Sequence, residues 1–252
     1  YETDDIPSFH NIIYLDIEIE IIGPLNSTTI KEANAKITSI SMMDDNEKLC
    51  LILDEQQELE EISEDGVNII PCLNERDLMK KFLSKWEQMD PTIVCHYNGD
   101  FFDIPYLYYR IKKKLGTEVN RLSPVGIVNE DPFKPDCPIE IALVNSLDYM
   151  HLFKKYITKE EASYKLGDIG SKYANLGKIE YEGSLDKLFK EDKKKFIQYN
   201  IRDIEIIKAL EEKQKFIELT IMISHICHTP YSSIYYNTVL NEGATLTYLK
   251  RK

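Results

Sequence analysis

The run Ile13-Tyr14-Leu15-Asp16-Ile17-Glu18-Ile19-Glu20 constrains this chain more than any other stretch. Side chains alternate between the faces of a strand, so Ile13, Leu15, Ile17 and Ile19 share one face and Asp16, Glu18 and Glu20 the other. The apolar face demands burial. The acidic face resists it, because like charges repel and ionised carboxylates are seldom buried without partners. Two arrangements reconcile the faces. One is an edge strand with a wet acidic side. The other is a carboxylate cradle whose repulsion a divalent cation relieves. The run alone does not choose between them.

The 252 residues give room for one large domain or two small ones with a sizeable core. A hydrophobic share of 43% and a charged share of 29% fit an ordinary globular protein and exclude a disordered or fibrous one. No apolar run approaches the roughly 20 residues that span a bilayer. No signal peptide opens the chain, and no membrane partner is expected. The first residue is Tyr, so the chain reads as a piece of a longer polypeptide. The five cysteines are scattered and odd in number, which points to a reducing, intracellular setting. Cys95-His96 and His225-x-Cys227-His228 lack a zinc spacing and read as core or surface residues. A net charge of −12 is wrong for a generic nucleic-acid binder. Any DNA handled here must be gripped locally, through metal ions, or by another region.

Residues 1–11 read as a loose acidic arm. After the opening strand comes a loop over Pro24–Thr29, then strands over 35–42 and 48–53 joined at Asp44-Asp45-Asn46, and a short extended segment over 67–72. Asn74 caps a helix running to Met89, with Asp77 completing a capping box and Leu78, Phe82 and Trp86 as the apolar stripe. A buried-type strand over 92–97 leads through Asn98-Gly99-Asp100-Phe101-Phe102-Asp103 into a helix closed by Gly116, with Asp103 at its cap. Residues 117–146 hold four of the ten prolines. They read as a projecting hairpin over 125–144, with arms at 125–128 and 139–144. From Leu147 the pattern is helical, with candidates at 148–156, 164–175, 191–225 and 235–250, and Lys187–Lys195 as a solvated face. This order predicts an α/β fold, a mixed five-stranded sheet flanked by helices with the acidic strand central.

Two further acids stand where a site would form. Asp103 lies at a strand end, where open sheets place ligands, and a helix cap there does not exclude metal ligation. Tyr199 and Asp203 are four apart on one helix face, alongside Phe196, Ile207 and Leu210, so that face points inward. Asp16, Glu18, Asp103 and Asp203 with Tyr199 make the set a two-cation phosphodiester site requires. Oxygen-only ligands favour Mg²⁺ or Mn²⁺. Tyr199, with an ordinary phenol pKa of about 10, would orient water rather than deprotonate it.

At these positions the chain resembles a known family. Asp16-Ile17-Glu18, Asn98-x-x-x-Phe102-Asp103 and Tyr199-x-x-x-Asp203, in that order, are similar to the three motifs of the tyrosine-type (DEDDy) proofreading 3′→5′ exonucleases. Phe102-Asp103-Ile104-Pro105-Tyr106, Leu147-Asp148-Tyr149, Ser163-Tyr164-Lys165-Leu166, Gly177-Lys178 and Tyr236-Asn237-Thr238 narrow the likeness to the exonuclease region of family B replicative DNA polymerases of the T-even phage type. The resemblance covers nearly the whole chain. It implies a ribonuclease-H-like fold and removal of single nucleotides from a frayed 3′ primer end.

Carried over by position, Asp16, Glu18, Asp103 and Asp203 are the metal ligands for two Mg²⁺ or Mn²⁺ ions, and Tyr199 positions the water. Lys178 steadies the site's charge or is simply a surface lysine. Asn98 and Phe102 contact the terminal nucleotides, Phe102 being equally readable as core. Glu20 and Asp100 depart from the family pattern and are expected at the site's wet margin. Tyr97, Phe101, Tyr106 and Tyr109 offer stacking surfaces, most of them expected in the core. The 125–144 hairpin corresponds to the one that moves a primer strand between sites. The implied layout is an arm over 1–11, the exonuclease domain over 12–230, and a helical segment over 231–252 leading to polymerase domains beyond Lys252. The implied partners are a single-stranded DNA 3′ end or primer–template, those polymerase domains, and a sliding clamp contacted through regions outside this chain. The implied location is the cytoplasm of a bacterial or phage-infected bacterial cell. Two other readings remain: a free-standing exonuclease acting on RNA, and a DNA-holding module with a degenerate site. The presence of all four acids and the tyrosine weighs against the latter.

Overall fold

The computed structural model of the chain describes residues 10–131 and 138–250, so most of the expected N-terminal arm and the hairpin tip lie outside the described residues. β1 (Ile12–Ile19) pairs antiparallel with β2 (Ile37–Met43), and β2 antiparallel with β3 (Lys48–Leu53), the meander that the sequence predicts. On its other side β1 runs parallel to β6 (Ile93–His96), and β6 parallel to β9 (Asn145–Asp148). Beyond β3, β5 (Val67–Cys72) adds in parallel and β4 (Ile62–Glu64) antiparallel to it. The order is β4-β5-β3-β2-β1-β6-β9, and the acidic strand is central.

Among the described residues the sheet thus has seven strands, not the expected five. The two extra strands are short and carry little apolar signal. β4 is exposed along its length, and β9 sits where the pattern turns helical. The architecture is otherwise the expected mixed α/β sheet with helices on both faces, consistent with a ribonuclease-H-like fold.

Each face of β1 meets its own core. Ile13, Leu15, Ile17 and Ile19 pack with residues of α2 (Glu75–Met89) and α3 (Asp103–Leu115), among them Leu78, Phe82, Trp86, Ile104 and Ile111. Asn74 caps α2 through the Asp77 amide at 2.9 Å, but Asp77 bonds Leu73 N, so only half of the expected capping box forms. Pro24–Thr29 is not wholly loop, because α1 (Ser27–Glu32) begins there. Asn26 accepts from the Thr28 and Thr29 amides while the Thr29 hydroxyl accepts from Asn26 N. A helix of one or two turns is too short to show an apolar period, so its cap was the only signal.

The second core lies on the Tyr14 face, with α4 (Tyr149–Tyr156), α5 (Leu166–Tyr173), α6 (Leu185–Glu191), α7 (Lys193–Gln214), α8 (Phe216–Cys227) and α9 (Asn237–Lys250). The single helix expected over 191–225 starts at Lys193, after a separate short helix, and is interrupted once. Asp192 turns out of α6 and caps α7 through Lys195 N at 2.9 Å. Lys215 takes a left-handed φ of 55°, and Glu211 accepts the Ile217 and Glu218 amides, restarting the chain as α8. Neither junction carries Gly or Pro. The hairpin forms as β7 (Val128–Glu130) against β8 (Ile139–Ile141), its first arm starting three residues later than expected because Gly126 occupies a turn at φ 71°. No helix among the described residues is long and apolar enough to cross a membrane.

A buried ion pair ties the first core to the start of β2. Arg110 on α3 donates twice to Glu75, both at 2.7 Å, and also to the Ala33 and Asn34 carbonyls, while Glu75 accepts Ile37 N at 2.8 Å. Removing one partner strands the other charge, which costs about 3–5 kcal/mol. Arg110→Met is therefore expected to lower the unfolding free energy by roughly that amount in chemical denaturation. A loss below about 1 kcal/mol would mean that solvent reaches this pair.

Candidate active site

The carboxylates of β1 lie on the face covered by α7. On β2 their cross-strand neighbours are serines, Ser41 opposite Asp16 and Ser39 opposite Glu18, and a register shift follows Glu18. Ser39 donates to Asn200 on α7 at 2.9 Å, and Asn200 donates on to the Phe196 carbonyl. This buried link fixes α7 over the strand and presents Tyr199 and Asp203, one turn apart, to the acids. A carboxylate oxygen from each of Asp16, Glu18 and Asp203 falls within 4.8 Å of the others.

Asp103 arrives differently. β6 pairs with β1 only as far as Tyr14–Cys95, which leaves the amide of Ile17 without a strand partner. Asp103 Oδ1 accepts it at 3.1 Å. The expected cap role is absent, since the residue before α3 is Phe102 and Asp103 spends its carboxylate on β1. Asp103 lies outside the 4.8 Å group, yet its charge acts on both Asp16 and Glu18.

The electrostatics are those of crowded acids. Burial, then Asp203, Asp103 and Glu18, push Asp16 well above the usual carboxylate range. Burial and Asp203 raise Glu18 to about 8, and burial raises Asp103 to about 6. Burial also raises Asp203, against the pull of Lys178. One oxygen each of Asp16 and Asp203 is sealed from solvent without a hydrogen-bond partner. Buried acceptors are normally satisfied, so two orphans facing one cluster fit a cation whose ligands are all oxygens.

Lys178 proves more than a surface lysine. Its Nζ lies 2.6 Å from Asp203 Oδ2 and 2.9 Å from the Tyr199 hydroxyl. Of the two readings that the sequence left open for Lys178, the charge-steadying one matches this placement. Burial and Asp203 raise the Tyr199 phenol above its ordinary value, and the ring packs edge-on to Tyr181. Asn98 is exposed with a left-handed φ of 63°, while Phe102 is half-buried against Tyr106. Tyr106 is core, its hydroxyl bonded to the Ala35 carbonyl, and Phe101 is exposed. Glu20 stays out of the acid group, its backbone bonded to Lys36. Asp100 is not at a wet margin: it is buried and receives the Ser146 hydroxyl at 2.7 Å.

The family model for the DNA polymerase family B exonuclease domain matches residues 2–169. The chain belongs to this family. It is 31% identical over 175 residues to a DNA-directed DNA polymerase of Enterobacteria phage T4, which covers 68% of this chain and 20% of that protein. The likeness to the DNA-directed DNA polymerase of Escherichia phage RB69 is 32% over 177 residues, with the same shares. DNA polymerase 1 of Sulfurisphaera ohwakuensis is 29% identical over 220 residues, 82% of this chain and 24% of that protein. The chain thus spans about a fifth to a quarter of these relatives' length. The matched family region ends before Lys178, Tyr199 and Asp203, which the fold brings to it.

The raised carboxylates set a pH dependence with a definite sign. In the fold Glu18 holds its proton to about 8 against an ordinary 4.5, and Asp103 to about 6 against 3.8. The native state therefore binds more protons than the unfolded chain across that window, and stability falls as pH rises through it. In chelator, the calorimetric Tm is expected to decline between about pH 5 and 8, with Asp16→Asn raising it and flattening the slope. A Tm that climbs with pH there would remove the like-charge account.

Proposed function

We propose that this exonuclease domain removes deoxynucleoside monophosphates from the 3′ end of single-stranded or frayed primer DNA, as the proofreading part of a replicative DNA polymerase. The observation that carries the reading is the convergence of Asp16, Glu18 and Asp203 within 4.8 Å, with orphaned oxygens on Asp16 and Asp203. Membership of the polymerase family favours DNA over RNA as substrate.

Asp16, Glu18, Asp103 and Asp203 would hold two divalent cations, Mg²⁺ or Mn²⁺. Such ions, when bound, activate water and stabilise charge on the attacking and leaving oxygens of a phosphodiester. The protein's own residues do the rest. Lys178 neutralises one of the four carboxylates and donates to Tyr199. The Tyr199 oxygen thereby accepts, leaving its proton to donate to a water beside Asp203. With its pKa raised, the phenol stays protonated at neutral pH, so it orients that water and does not act as a base. Asn98 is exposed, and Phe102 lies next to Asp103, so both stand where a terminal nucleotide would be met. The β7–β8 hairpin would steer a primer strand. The domain would run over 12–230, with 231–252 leading toward the polymerase domains and a sliding clamp engaged through those. The setting would be the cytoplasm of a bacterial or phage-infected bacterial cell.

The test uses labelled single-stranded DNA and RNA oligonucleotides with Mg²⁺, Mn²⁺ or chelator. Mononucleotides should appear from DNA 3′ ends only with metal. Asp203→Ala should abolish release, and Tyr199→Phe should slow it by about 10²-fold or more. Equal or faster release from RNA would replace this reading with the free-standing RNA exonuclease. No release from a folded sample under any metal condition would leave a DNA-holding module.

A further inference from the structure

Asp103 is presented by a loop, Asn98–Phe102, that has no strand beside it, and the aim of its carboxylate depends on what holds that loop. Three consecutive amides in it are each taken by a side chain. Asp148 Oδ1 accepts Asn98 N at 3.0 Å, His96 Nδ1 accepts Gly99 N at 3.1 Å, and Asp148 Oδ2 accepts Asp100 N at 3.3 Å. The loop then closes on itself, Phe102 N to Asn98 O and Ile104 N to Gly99 O, and α3 starts from it. His96 is fully buried at the end of β6. Its Nε2 lies 2.7 Å from Ser146 Oγ, which donates to Asp100 Oδ1 at 2.7 Å.

Gly99 shows how closely these groups meet. A Cβ there would stand 2.5 Å from His96 Cγ and 2.8 Å from Asp103 Oδ2, so imidazole and carboxylate both press on one bare Cα. Burial lowers the His96 pKa while Asp100, Asp148 and Asp103 lift it, to about 9 in balance. The Gly99 N–H is aimed at Nδ1, which therefore accepts in this arrangement, while Nε2 faces Ser146 Oγ and Asp100 Oδ1.

We propose that His96, with Asp148, is a positioning residue that sets the Asn98–Phe102 loop and thereby aims Asp103 at β1. The inference rests on the nuclease reading above for its kinetic consequence, not for its structural one. His96 is fully buried, so its effect on turnover would pass through Asp103. A displacement near 1 Å in such a group costs about 10²-fold in rate.

The experiment compares the whole chain carrying His96→Leu, which removes both ring nitrogens, with His96→Asn, whose amide oxygen can replace Nδ1 as acceptor for Gly99. With Mg²⁺ and single-stranded DNA, His96→Leu should lose about 10²-fold in kcat while KM stays within about 2-fold, and His96→Asn should recover roughly 10-fold of that loss. Hydrogen exchange at the Gly99 amide should accelerate in His96→Leu and return toward wild type in His96→Asn. A folded His96→Leu with wild-type kcat, or with unchanged Gly99 exchange, overturns the inference. A wild-type chain without nuclease activity overturns the nuclease reading instead, and the exchange comparison still decides whether His96 sets the loop. If His96→Leu does not fold, Ser146→Ala removes the nearer Nε2 partner together with the Ser146–Asp100 bond, while Asp100 Oδ1 stays 3.3 Å from Nε2. It should lower kcat by about 3–10-fold at constant KM, and an unchanged kcat there overturns the inference.

Discussion

Like-charge crowding on the central strand is the constraint around which this domain is built. β1 has a core on each side, yet one of its faces carries the half-buried acids Asp16 and Glu18. An acid in such a place must be protonated, paired or bound to a cation. The surroundings answer in part. Ser39 and Ser41 keep the neighbouring strand small and polar, Lys178 supplies one positive charge, and α7 is locked overhead by Asn200. The remaining imbalance leaves Asp16, Glu18 and Asp203 as a crowded group of oxygens that could hold a metal ion.

The four acids reach the site by different physical routes. Asp16 and Glu18 come by strand alternation, and Asp203 by helix periodicity with an apolar flank that turns it inward. Asp103 comes on a loop and is captured by a backbone amide that the parallel pairing leaves open. The first three routes are rigid because regular elements carry them. The last depends on side-chain bonds to loop amides, where small changes in packing have large effects on aim.

That difference explains what was legible beforehand. Alternation and four-residue spacing are local, so the strand, the inward face of α7 and the meander could be read from the chain. Lys178 could not be placed by spacing, because its partner charges lie on an element that begins only after a loop. Asp100 was misplaced because an acid beside a cluster of acids reads as solvated. Its burial depends on Ser146 and His96, neither of which carries a recognisable pattern. The break at Lys215 was hidden because Glu211, a side chain, does the work usually left to Gly or Pro. The extra strands β4 and β9 exist through pairing with neighbours, not through composition.

Ile17 is constrained through its side chain, its amide and its chain neighbours. Its side chain belongs to the apolar core, its amide is bound by Asp103, and its two chain neighbours are the paired acids. Shifting a strand by one residue sends every side chain to the opposite face. An insertion or deletion within Asp16-Ile17-Glu18 would bury a carboxylate among the isoleucines and deprive Asp103 of its amide at once. The length of this tripeptide is therefore a tighter physical constraint than the identity of its middle residue, where any β-branched or similarly sized apolar side chain with a free N–H would serve.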